Sequence, residues 1–145
     1  MNLRLPLLRQ ALVLFAALFL AACLSEGGQT LTAPQANEQS RAGTLTLIDI
    51  RTPAEWRQTG AAVGAARIDM HNPKGPDAFA EAVLAQVGGD RKAPIALICR
   101  TGNRSTQMQK VLEDRGFTRV YNVTEGMAGS AAGPGWIKRG LPVEP

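Results

Sequence analysis

The segment Pro94-Ile95-Ala96-Leu97-Ile98-Cys99-Arg100-Thr101-Gly102-Asn103-Arg104-Ser105 constrains the chain more than any other. A short apolar run bounded by Pro94 reads as a buried strand. It ends at a thiol, a polar turn with one Gly and two Arg follows, and a helical pattern then runs from Ser105 to Arg115, closed by Gly116. Met108, Val111 and Leu112 form the buried stripe of that helix. A strand feeding a helix through a short turn is the repeating unit of an α/β fold, and it sets Cys99 between a strand carboxyl end and a helix N-terminus. Free backbone N–H groups and the helix dipole favour negative charge there. Gly102 can supply the positive φ of a tight curl, and Arg100 and Arg104 add fixed positive charge. A thiol so placed is expected to ionise readily and act as a nucleophile.

The rest of the chain repeats the alternation. Thr32-Ala33-Pro34-Gln35 fits a capping box with Pro in the first turn, which predicts a helix to about Arg41, stopped at Gly43. Leu45 to Ile50 reads as a strand, and Thr52-Pro53 opens a short helix through Trp56 and Arg57. Ala66 to Met70 is a weak strand. Pro76-Asp77 starts a helix to about Val87, with Phe79, Val83 and Val87 on one face and Gly88-Gly89 ending it. Arg119 to Val123 is the last strand. Such alternation predicts a parallel sheet with helices on both faces, in which ligands bind beyond the strand carboxyl ends. Asp49 and Arg51 end or follow a strand and belong on the same edge as Cys99, where they shape the pocket or form a structural ion pair or capping network. Trp136 reads as core, Trp56 as packing and Glu55 as part of a solvated face.

Before the domain lies a leader. Arg4 and Arg9 precede twelve uncharged apolar residues, Ala11 to Ala22, too few to span a bilayer comfortably but suited to a signal peptide. The sequence Leu20-Ala21-Ala22-Cys23 resembles the bacterial lipobox, whose Cys becomes the lipidated first residue after cleavage. This divides the chain into a signal peptide (1–22), a lipid-anchored tether (23–30) and one domain (31–145). The mature protein is expected on the periplasmic face of a bacterial membrane. Leu24 after the Cys suggests, by the same resemblance, the outer membrane.

Loss of residues 1–22 removes two basic residues and no acid, so the formal charge falls from +4 to +2. A mildly basic domain with scattered cations argues against nucleic acid as a partner. The chain has two cysteines. With Cys23 lipidated, Cys99 has no intrachain partner and stays a free thiol in an oxidising compartment. The single histidine, His71, sits in a Pro- and Gly-rich stretch that reads as a loop, and one His cannot build a His cluster or a Cys₂His₂ site, so neither metal nor cofactor is expected. A dithiol oxidoreductase is excluded by the lack of Cys-x-x-Cys.

The Cys99 segment resembles the active-site loop of the rhodanese (sulfurtransferase) family. Ile48-Asp49-Ile50-Arg51-Thr52-Pro53-Ala54-Glu55-Trp56 is similar to that family's early Asp-x-Arg signature. Glu125-Gly126-Met127, Trp136 and Gly140-Leu141-Pro142-Val143 are similar to its C-terminal pattern. The resemblance covers about Leu31 to Val143. Three places depart from it: Ala61 replaces a usual His, Met127 stands where a second Gly is common, and Gly129 to Gly135 lengthens the gap before Trp136. The resemblance implies a single rhodanese-like α/β domain. It also implies transfer of a sulfane sulfur from a thiosulfate-like anion to a thiol or cyanide through a Cys99 persulfide. Arg100, Thr101, Gly102, Asn103 and Arg104 would form the anion-binding loop. Two alternatives remain open. One is a non-catalytic rhodanese-like binding module, although those usually lack the Cys. The other is a phosphatase or arsenate reductase of the same fold, whose Cys-x₅-Arg loop is one residue longer than the Cys-x₄-Arg here. The insertion 129–135 is expected at the rim, where it would tune acceptor access.

The leader makes a direct prediction. Cys23→Ser should block lipidation, leaving unprocessed or released protein in fractionated cells. Fatty-acid labelling of the variant equal to wild type would contradict it.

Overall fold

The computed structural model describes residues 28–145; the signal-peptide, lipobox and Cys23 expectations fall outside them, as does most of the tether. In chain order the elements are β1 (Thr30–Leu31), α1 (Ala33–Arg41), β2 (Thr46–Asp49), α2 (Pro53–Thr59), β3 (Ala61–Ala62), β4 (Ala66–Arg67), α3 (Pro76–Gln86), β5 (Ile95–Ile98), α4 (Asn103–Glu113), β6 (Val120–Val123), α5 (Gly135–Lys138) and β7 (Val143–Glu144). Five strands form one parallel sheet in the order β1-β6-β5-β2-β4. β3 and β7 pair antiparallel beside it. The expected α/β architecture, a parallel sheet flanked by helices, is therefore the observed one.

Local chemistry explains the boundaries. Thr32 and Thr52 both close capping boxes, with Gln35 and Glu55 as the reciprocal partners and a Pro in each first turn. β5 shows why the sheet needs two covered faces. Ile95 and Leu97 join a core with Phe79, Val83, Met108 and Leu112 from α3 and α4. Ala96 and Ile98 point the other way, into a core with Ala33 and Ala36 from α1, Met127 from the turn after β6 and Trp136 from α5. A strand's period of two sorts the run in this way. Cys99, one residue past β5, continues the Ile95–Leu97 side.

Several elements differ from the sequence expectations. Thr30 belongs to the sheet, and the carbonyl of Gln29 accepts from the Asn122 N–H and from Gln109 Nε2, so ordered backbone starts ahead of Leu31. α4 starts at Asn103, not Ser105. The strand over Ala66 to Met70 shortens to Ala66–Arg67. β3, β7 and α5 have no local pattern that announces them.

The β6–α5 connection depends on Glu125, which is 1% exposed. Its carboxylate accepts from Ala33 N (2.7 Å), Gly135 N (2.9 Å) and Arg139 Nε (2.7 Å), so it satisfies the first N–H groups of both α1 and α5. Burial alone would raise its pKa. The Arg139 contact and the two backbone donors outweigh that, and the carboxyl lies below its ordinary range. Removing one partner of a buried, paired charge strands the rest. Glu125→Ala should therefore destabilise the domain by about 3–5 kcal/mol, read as a shift in urea midpoint. A change below about 1 kcal/mol would show that the donors find other acceptors.

Candidate active site

Three strand ends build one edge of the sheet. Asp49 closes β2 and pairs in register with Ile98 at the end of β5, while Val123 closes β6. Cys99 lies directly beyond β5 and is 1% exposed. The Gly102 N–H donates to its Sγ at 3.1 Å, and Ser105 Oγ lies 3.3 Å from the sulfur. Gly102 is the N-cap of α4 at φ 91°, and no side chain caps this helix. The N–H groups of its first turn therefore keep no intrahelical or capping partner, the arrangement that favours an anion.

Behind the sulfur runs a directional network. Gly102 O accepts from Thr106 Oγ1 (2.9 Å), which leaves Thr106 to accept from Asn122 Nδ2 (2.7 Å). Asn122 Nδ2 also faces Gly102 O at 3.3 Å, which fixes the amide orientation. Asn122 Oδ1 then accepts from Ser105 Oγ at 2.7 Å. Ser105 and Asn122 are buried, so this network holds the helix start against β6. Sequence patterning did not flag either residue as part of the site, because the link runs between α4 and β6.

Two acidic–basic pairs lie near the edge. Asp49 and Arg51 form a buried ion pair. Arg51 donates to both carboxylate oxygens (3.0 Å and 2.7 Å), and its remaining donors reach Thr59 Oγ1 and Gly60 O, each at 2.8 Å. The guanidinium therefore braces the end of α2, the bracing alternative of the two considered for this pair. Glu55 is not part of a solvated face. It is 22% exposed and grips Arg104 with both oxygens, at 2.9 Å and 2.5 Å. Arg104 was expected in the anion-binding loop; both its terminal nitrogens are committed to Glu55. The Arg104 contact is the main reason that Glu55 falls to a pKa of about 2, with its capping bonds to Thr52 adding to it against the cost of burial. Reciprocally, Glu55 raises Arg104 first of all, and the nearby Cys99 and Asp49 contribute.

Beside the loop is a cavity of about 140 Å³ whose lining includes Arg51, Glu55, Gln58, Arg100, Ala128 and Ile137. Arg100 is exposed and, among the described residues, makes no ion pair. Thr101 and Asn103 are exposed on the loop surface. Residues 129–135 do not line this cavity. They fold into a turn closed between Ser130 and Gly133 and fastened to Glu125, so the lining passes from Ala128 to Ile137 around them. Ala61, in place of the usual His, is buried in β3. His71 lies in an exposed loop against Asp69. Trp136 is fully buried and donates to Pro142 O; Trp56 is half-buried.

Comparison with known proteins agrees with this architecture. The family model for the rhodanese-like domain matches residues 32–132. A sulfurtransferase of Allochromatium vinosum is 32% identical over 99 residues, spanning 68% of this chain and 78% of that protein. The crystal structure of Rv0390 from M. tuberculosis superposes with a TM-score of 0.61 at 31% identity, covering 83% of this chain and 98% of that one. The solution structure of a polysulfide-sulfur transferase homodimer from Wolinella succinogenes superposes with a TM-score of 0.60 at 28% identity, covering 80% and 77%. The chain belongs to the rhodanese-like domain family, within the sulfurtransferase superfamily.

The Glu55–Arg104 pair makes the acid limb of stability testable. A carboxylate depressed from 4.5 to about 2 contributes stability that is complete above 4.5 and is lost as pH falls towards 2. Glu55→Gln should flatten the fall in urea midpoint over that interval and leave its neutral-pH slope unchanged. An unaltered acid limb would contradict the pairing.

Proposed function

We propose that this protein is a sulfurtransferase that carries sulfane sulfur on Cys99. The observation that carries the reading is a lone thiol at a strand end, hydrogen-bonded by Gly102 N–H and facing the uncapped first turn of α4. The Cys99 thiolate attacks the outer sulfur of a donor of the thiosulfate kind. The Sγ–S bond forms, and the bond to the leaving sulfite sulfur breaks with its electron pair. The resulting persulfide is anionic and sits against the N–H groups of residues 100–104, which stabilise it without moving. A thiol or cyanide then attacks the outer sulfur and releases Cys99. Two steps through a covalent intermediate replace one difficult transfer. Arg100, exposed at the cavity and without an acidic partner, supplies the mobile positive charge that meets the donor. Asp49 and Arg51 support the pocket from behind.

The thiol with its Gly102 N–H donor supports chemistry at sulfur over the binding-module alternative. A phosphatase would need a wider loop than the Cys-x₄-Arg spacing supplies. The leader places this chemistry on the periplasmic side of a bacterial membrane, with Cys23 as the lipid-bearing residue. The whole then reads as signal peptide, short tether and catalytic domain.

Steady-state kinetics test the reading. Initial rates with varied donor at several acceptor concentrations should give parallel double-reciprocal lines, and Cys99→Ser should abolish turnover while keeping the fold. Intersecting lines, or activity surviving in Cys99→Ser, would contradict a covalent carrier.

A further inference from the structure

The charges around the Cys99 loop are arranged so that most of them cancel. Arg51 is saturated by Asp49, Thr59 and Gly60. Arg104 is held by both oxygens of Glu55. Glu55 is itself anchored, because its Oε2 also accepts from Thr52 N (3.0 Å) as part of the α2 capping box. Swinging Arg104 to a substrate would therefore strip a three-quarters-buried carboxylate of its strongest partner. Among the described residues, the one cation on the cavity without a carboxylate partner is Arg100. The same cavity is lined by Ala128 and by Ile137, which is 41% exposed, over the buried Met127.

Resting on the sulfur-transfer reading above, we propose that the site selects a singly charged sulfane-sulfur donor with an apolar end, such as an organic thiosulfonate, over the thiosulfate dianion. Glu55 is the specificity-determining residue, because it occupies the guanidinium that a second negative charge would need. The single charge meets Arg100, and the carbon end lies against Ala128 and Ile137. Chemistry at sulfur is unchanged: Cys99 Sγ bonds the terminal sulfur, the sulfur–sulfur bond of the thiosulfonate breaks, and its electron pair leaves on the sulfinate. No outside oxidant or reductant is required.

The test compares methanethiosulfonate with thiosulfate in wild type and in Glu55→Gln, which keeps the size and the Thr52 cap while removing the charge. Freeing Arg104 by one charge-assisted contact should shift the kcat/KM ratio towards thiosulfate by about tenfold. Intrinsic donor reactivity cancels in this double ratio. A binding measurement avoids turnover altogether. Methanesulfonate should inhibit wild type at lower concentration than sulfate, and the order should narrow or reverse in Glu55→Gln. An unchanged double ratio in a folded variant, or sulfate binding wild type as well as methanesulfonate, would overturn the proposal while leaving sulfur transfer intact. No persulfide on Cys99 from either donor would overturn both.

Discussion

The site depends on one close backbone contact, between the turn after β6 and the loop after β5. Met127 N donates to Cys99 O at 2.9 Å and Ala128 N to Arg100 O at 2.8 Å. The fit leaves no space for side chains. A Cβ on Gly102 would stand 2.2 Å from Thr124 O, and one on Gly126 would stand 2.5 Å from Arg100 O. Both glycines also hold positive φ. The loop carbonyls are thereby turned towards the β6 side, where they find donors. That frees the N–H side of the curl for the sulfur. The same turn is fixed from behind, since Trp136 N reaches Gly126 O and Ile137 N reaches Met127 O. Glu125 then ties that assembly to α1. A buried carboxylate on the far side of the sheet edge thus helps set where a thiol sits.

Around this frame, ion pairs do structural work, and in the proposed reading selective work, more than they add field. Two guanidiniums near the loop are neutralised by carboxylates, so backbone dipoles and Arg100 dominate what an incoming anion meets. Dipoles of this kind are fixed in place before any substrate arrives, which is what electrostatic preorganisation requires. Buried pairs are weak contributors to net stability but costly to break. They define geometry near a loop that must not relax when charge moves onto sulfur.

Much of this was legible in the sequence where causes are local. The Thr32 and Thr52 caps, the Gly88-Gly89 stop and the β5 run each act within a few residues, and each formed as expected. Cys99 could be placed at a sheet edge because strand and helix flank it directly. The failures share the opposite property. Glu55 read as solvated because its partner Arg104 is 49 residues away. Glu125 had a motif but no visible task, since its donors come from residues 33, 135 and 139. β3 and β7 are two residues each and exist only through their pairing. The insertion 129–135 looked like a rim loop by composition; residues 130–132 and 134 are exposed, and only its end, Gly135, is fastened to Glu125.

The most direct test of the account is intact mass spectrometry of purified protein after exposure to a sulfane-sulfur donor, followed by peptide mapping under non-reducing conditions. A covalent carrier should gain the mass of one sulfur atom, mapped to the peptide containing Cys99, and lose it when a thiol or cyanide is added. Protein that turns over donor and acceptor without ever bearing that sulfur, or that bears it at a residue other than Cys99, would contradict the account.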